Sequence, residues 1–404
     1  MKVGWTTKRL HEVAVIFDGP HATPKTVDSG PIFLGISTLQ DGVLNLGETR
    51  HVTEEDFDLW TRRVIPQTDD VVFSYETRLG QAAIIPKGLK CCLGRRMGLV
   101  RFLDGTVLPK FFLYQYLSPS FFEFLESRTI RGATVDRISI KEFPSFSIKV
   151  PALSEQQRII GILDEAFDGI ATAKANAEKN LQNARAIFES HLQSVFTYRG
   201  AGWVQTTLEN VLVEQPRNGW SPPAANHSDS GTPVLTLSSV TGFQFKASKI
   251  KFTSATADPR RHYWVKNGDF LITRSNTPAL VGHVAIAAGI AEPTIYPDLI
   301  MRMIPAPDRM LTEFLYYQMR TPSLRREITG RAQGANPTMK KISKGAVQSL
   351  PVVAPPIPRQ KEIVAQLEAL SEETHRLESV YQQKIACLDL LKKSLLDQAF
   401  TGTL

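Results

Sequence analysis

At 404 residues the chain is too long for one ordinary core, so two domains of roughly 150 residues with connecting elements are expected. Hydrophobic residues at 42% and charged residues at 22% exclude a disordered or fibrous chain, and the net charge of +7 leans toward an anionic partner. No apolar run approaches the ~20 residues of a membrane helix, and the opening MKVGWTTKRL has no apolar signal core, so a cytoplasmic protein is expected. Three cysteines, two of them the neighbours Cys91 and Cys92, make no disulfide framework. CxxC and HExxH spacings are both absent, which leaves a zinc site without support.

In chain order, residues 1–150 read as a mixed α/β unit. Short β-rich runs at 32–36, 71–74 and 82–85 alternate with Gly, Pro, Asn and Asp. A helix near 110–126 closes the unit. Residues 151–200 read as a long helix, with Ser154 and Gln157 at capping-box spacing. Residues 201–352 repeat the first unit, with runs at 234–237, 270–273 and 284–287 and a closing helix near 312–329. Residues 353–404 repeat the long helix, with Pro358 as its first residue. Each long helix is about 43 residues, roughly 64 Å.

The repeat is explicit in the letters. A shift of 204 positions pairs Gln156 with Gln360, Ile159 with Ile363, Leu163 with Leu367, Phe196 with Phe400 and Thr197 with Thr401. Gly4-Trp5 followed by Leu10 and Val13 matches Gly202-Trp203 followed by Leu208 and Val211. Asp70 before a β run matches Asp269, Gly80 matches Gly282, and Tyr114-Gln115 matches Tyr317-Gln318. The chain is a tandem duplication of a globular unit plus a helix.

The second helix carries a heptad seam at Ile363, Leu367, Leu370, Thr374, Leu377, Tyr381, Lys384, Leu388, Leu391 and Leu395. Its counterpart runs Ile159, Leu163, Ala166, Ile170, Ala173, Ala177, Asn180, Ala184, Ile187 and His191. A Leu-rich seam facing an Ala-rich one lets two helices approach closely, so the two are expected to pair. Gly161 and Gly169 cost the first helix ~1 kcal/mol each, another reason for it to need a partner. Residues 154–196 hold four basic and six acidic groups, and 358–400 six and seven. That leaves 37 basic and 27 acidic groups elsewhere, so the positive charge lies on the two globular heads.

Catalytic signatures are missing. GxGxxG, GxxxxGK[ST] and GxSxG do not occur, and Asn336-Pro337-Thr338 lacks the second Pro and aromatic of an adenine-methyltransferase motif. The eight histidines are scattered, and His191 falls on the helix seam. The expectation is a non-catalytic chain.

The pattern of Gly-Trp-x4-Leu-x2-Val openings, Asp before a β run, and closing helices entered through PPIPRQKEIVAQL and ending in Phe-Thr resembles the specificity subunit of type I restriction–modification enzymes. DGPHATPK at 18–25 and GDFLITRSNTPALVG at 268–282 carry the same likeness. The resemblance implies an α/β (α+β) fold: two target recognition domains, a pseudo-two-fold tandem repeat, separated by two long helices in an antiparallel coiled coil. It implies that each domain reads half of a split double-stranded DNA target. It further implies two adenine methyltransferase subunits and restriction motor-nuclease subunits as partners. S-adenosylmethionine, ATP and Mg would lie on those partners and no cofactor on this chain. A specificity subunit of a bipartite type II system, a coiled-coil protein scaffold, and an unrecognised enzyme with a pseudo-symmetric cleft remain as alternatives.

Phosphate contacts need Lys or Arg, and base edges need Arg, Asn, Gln, Ser or Thr on loops. In the first head these are His21, Thr23 and Lys25, then Tyr75 and Arg78, then Arg131, Thr134 and Arg137. In the second they are Arg217 and Asn218, then Arg274, Ser275 and Asn276, then Gln333, Asn336, Lys340 and Lys341. This pairing sets His21-Ala-Thr-Pro against Asn218-Gly-Trp-Ser.

Overall fold

A computed structural model describes residues 4–132, 135–334, 336 and 338–404. The chain divides into two compact units, Met1–Glu178 with Gln382–Leu404, and Lys179–Tyr381. Each long helix is thus shared between them.

Each unit is built on a four-stranded antiparallel sheet of the same order. In the first unit the strands run Ala14–Asp18, Met97–Phe102, Val71–Ser74, Ala82–Ile84. In the second they run Leu212–Asn218, Ile300–Pro305, Phe270–Thr273, Val284–Ile286. The inner strands VVFS and FLIT are buried at every position, as a run covered on both faces requires. The aspartate before each makes the turn. Asp70 accepts the Gln67 N–H at 2.7 Å and Asp269 the Lys266 N–H at 2.8 Å. Both carboxylates also pair with an arginine of the neighbouring strand, Arg101 at 2.7 Å and Arg302 at 3.4 Å. A two-stranded ribbon ties the start of each head to its end, Thr6–Arg9 with Ser147–Val150 and Val204–Thr207 with Pro351–Ala354.

The single closing helix expected in each head is two helices, Pro109–Tyr116 with Pro119–Ser127, and Thr312–Arg320 with Pro322–Arg331. The residue before a proline resists the helical region. Ser118 and Thr321 use that break as N-caps, accepting the Phe121 and Leu324 N–H groups. The second helix of each pair lies over a glycine at positive φ. A Cβ on Gly80 would stand 2.5 Å from the Phe122 ring, and one on Gly282 2.2 Å from Ile328.

The long helices run Leu153–Thr197 and Ile357–Thr401. Ser154 is inside the first rather than its cap. The Ala152 carbonyl accepts the Glu155 and Gln156 N–H groups, and the Gln156 side chain bridges to the head. That glutamine is fully buried, takes the Leu108 N–H at 2.8 Å and donates to Thr106 and Pro151. Gln360 does the same with Leu311, Arg309 and Pro355. In the first unit Ile159 and Leu163 join the core beside Leu396, Ala399 and Phe400. In the second, Ile363, Val364 and Leu367 join it beside Phe188, Leu192 and Phe196. The start of one helix therefore packs with the end of the other in each unit, which makes the pair antiparallel. Lys174–Asp389 at 2.7 Å and Arg185–Glu378 at 3.2 Å keep one register, eleven residues forward on one helix and eleven back on the other.

The seam departs from the expected one past Ala177. Asn180, Ile187 and His191 are exposed, and Leu181, Phe188 and Leu192 turn inward instead. On the partner helix Lys384 and Leu391 face out, and Ile385 and Lys392 are half-buried. A helix of 3.6 residues per turn drifts from a strict 3.5 repeat by ~20° per heptad, so a seam that follows the helix slips by one residue over about five heptads.

Candidate nucleic-acid interface

In the first head the site begins where the strand Ala14–Asp18 ends. The Asp18 carboxylate accepts the Tyr75 hydroxyl at 2.8 Å and His21 Nε2 at 2.8 Å, with Arg63 at 3.8 Å. Burial, and then Asp18, push the Tyr75 phenol above its ordinary range. Tyr75 is therefore a buried donor that fixes Asp18, while His21 stands exposed. A cavity of about 400 Å³ opens here between Asp18, His21, Trp60, Arg62 and Arg63. The buried Trp60 indole N–H has no hydrogen-bond partner among the described residues.

Thr23 lines a second cavity of about 350 Å³ with Arg50, Arg95 and Arg96, and Lys25 is exposed. Arg78 points its guanidinium at the Ile36 and Ser37 carbonyls at 3.4 and 3.1 Å. Arg131 sits between Glu126 and Asp136, both at 2.6 Å, so its charge is compensated within the chain. Arg137 exchanges backbone hydrogen bonds with Ile130, and the Ile138 N–H reaches the Tyr75 carbonyl at 2.8 Å. These bonds bring the segment 135–138 beside the Tyr75 turn. Thr134 lies outside the described residues.

In the second head Asn218 takes the place of Asp18. Each ends its strand, Asp18 opposite Gly98 and Asn218 opposite Met301. The true counterpart of Asn218 is thus Asp18 rather than His21. The Asn218 side-chain oxygen is buried without a partner among the described residues, and its carbonyl accepts His262 at 2.9 Å. Arg217 beside it is exposed. Arg274, Ser275 and Asn276 leave the strand Phe270–Thr273 and form a short ribbon. Ser275 pairs with Lys341 and Asn276 with Lys340, and Gln333 then pairs with Lys341. Six residues expected from separate stretches meet in this one patch. The Arg274 Nε and the buried Ser275 Oγ lack partners among the described residues. Lys340 reaches the Gly334 carbonyl at 2.8 Å. Asn336 is a turn residue, accepting from the Thr338 N–H and hydroxyl at 2.9 and 2.8 Å.

Five arginines that line the two cavities were not among the expected contacts, Arg50, Arg62, Arg63, Arg95 and Arg96. Two Arg-Arg pairs were the available signal, Arg62-Arg63 just after the helix Glu54–Trp60 and Arg95-Arg96 just before the strand Met97–Phe102. The duplicated framework does not mark them, because Asp298-Leu299 stands where Arg95-Arg96 does. The equivalence is fixed by one hydrogen bond, Tyr75 N–H to Arg96 O and Arg274 N–H to Leu299 O.

Both heads thus present loops of donors and acceptors at equivalent strand ends, with different chemistry on one framework. That is the layout of a duplicated recognition protein on a paired-helix support. The chain belongs to the family of the type I restriction modification DNA specificity domain, which it matches twice, at residues 2–182 and 201–386. It is 24% identical to the type I restriction enzyme EcoKI specificity subunit of Escherichia coli strain K12, over 91% of this chain and 84% of that one. It is 22% identical to the putative type I restriction enzyme MjaX specificity subunit of Methanocaldococcus jannaschii, over 98% and 93%. Two solved structures share the fold. One is a chain from work on complex assembly and conformational transition of the type I R-M system, with TM-score 0.77, 19% identity and coverage of 100% and 99%. The other is the HsdS subunit from Thermoanaerobacter tengcongensis, with TM-score 0.60, 18% identity and coverage of 100% and 98%. Among the described residues, no helix is long and apolar enough to cross a membrane.

Proposed function

We propose that this chain is the DNA specificity subunit of a type I restriction–modification complex, with each head reading one half of a split target. The observation that carries this is the double match, one on each half of a chain whose two heads share sheet order and differ in loop chemistry. In this reading the chain performs no chemistry. Two adenine methyltransferase subunits, which bind S-adenosylmethionine, and restriction subunits, which use ATP and Mg, act where it directs them, in the cytoplasm. Purified chain alone should transfer no methyl group. With methyltransferase subunits it should methylate one bipartite motif, and its DNA affinity should fall steeply with salt because phosphate contacts release counterions. Methyl transfer by the chain alone, or DNA binding insensitive to salt, would contradict the reading.

A further inference from the structure

The cavity of the first head beside Thr23 holds three arginines and two carboxylates, Glu48 and Glu76. One arginine is already committed. Arg96 pairs with Glu76, which is only 8% exposed, so removing the partner would strand a buried charge. The backbone is held in the left-handed region at Arg96 itself and at the residue after Glu76. Arg96 has φ +68° and Thr77, next to Glu76, φ +66°. Non-glycine residues persist there only where the surroundings over-determine them, and such positions gather at ligand sites. The pair forms part of the cavity wall. Arg50, Arg95 and Glu48 remain exposed, with no side-chain hydrogen bond or ion pair among the described residues.

Two kinds of DNA group suit arginines in a concavity, a phosphate and a base edge. A phosphate is disfavoured by Glu48, the carboxylate that, among the described residues, is left unpaired beside the two free arginines. A guanine–cytosine pair suits the mixture, because guanine offers two acceptors to a guanidinium and cytosine offers an amino donor to a carboxylate. The second head has the opposite character at this position, Asp298 bonded by the Ser221 hydroxyl. We propose that Arg95, with Arg50 and Glu48, reads a guanine–cytosine pair in the half-site of the first head. This rests on the function proposed above.

The test uses the complex of the full chain with its methyltransferase subunits and single-molecule methylation sequencing. Exchange of residues 201–350 for a relative's domain identifies the half-site of the first head, as the half that stays. Arg95→Ala and Glu48→Gln are then compared with the wild type. Arg95 is exposed, so the fold should survive its loss. The expected result for Arg95→Ala is one guanine position made degenerate, with roughly 10- to 100-fold of its preference gone and the other half unchanged. An unchanged motif with a salt dependence shallower by about one counterion would make Arg95 a phosphate contact and overturn the proposal. An unchanged motif with unchanged affinity, or a wild-type half-site without guanine, would overturn it too. A wild-type complex that methylates no split motif would instead sink the functional reading itself.

Discussion

His283 shows how much one position can do. Its ring stacks on Phe243 at 4.1 Å, Nδ1 accepts the Gly242 N–H at 3.0 Å, and Nε2 donates to the Ala279 carbonyl at 3.0 Å. Burial, then the Arg325 guanidinium, lower its pKa from 6.5 to about 4. A group with a depressed folded pKa contributes stability above its unfolded value and loses it as pH falls. The second unit should therefore weaken between pH 6.5 and 4. At the equivalent place the first head has Gln81, whose Oε1 accepts the Asp41 N–H at 2.8 Å. His283→Gln should keep the loop and flatten that pH dependence of the melting temperature. An equally steep profile in the variant would contradict the assignment. Cysteine chemistry follows the same logic of burial, which pushes the Cys91 and Cys92 thiols up to about 12 while Cys387 is exposed. Alkylation of the folded protein, read by peptide mass, should label Cys387 and spare the other two. At this scale the sequence was legible where the repeat constrains both copies, as for Gln156 and Gln360. It was not legible for Arg131, whose charge is cancelled by Glu126 and Asp136 through the fold.

Elements were easier to read than residues, because they rest on periodicity. The inner strands stand where the β runs put them, since a strand covered on both faces reads as a nearly continuous apolar run. The single closing helix broke at Ser118-Pro119 and Thr321-Pro322, where local proline geometry overrides an apolar run. The long helices were legible in extent, and only the phase drifted. Ala177 and Ala184 are 1% and 2% exposed on the seam, whereas His191 faces solvent. Ala184→Leu should therefore overpack the second unit and cost ~1–3 kcal/mol in denaturant unfolding. His191→Ala should change it by less than about 0.5 kcal/mol. A larger loss at His191 than at Ala184 would restore the strict heptad seam.

At the scale of the molecule, duplication is the fact from which the rest follows. Equivalent strands, caps and buried glutamines recur in both units, so the framework does not specify what is read. In the proposed reading the loops do, and they differ in charge at matched positions, Asp18 against Asn218 and Arg95 against Asp298. Loop readout was the least legible part of the sequence, because it depends on which segments meet, as 274–276 meet 340–341. The heads should accordingly be exchangeable one at a time. The most direct measurement replaces residues 201–350 by the corresponding domain of a relative, restores the methyltransferase subunits, and maps methylated adenines genome-wide. One half of the bipartite motif should change and the other be kept. A change in both halves, or in neither, would contradict separate reading by the two heads.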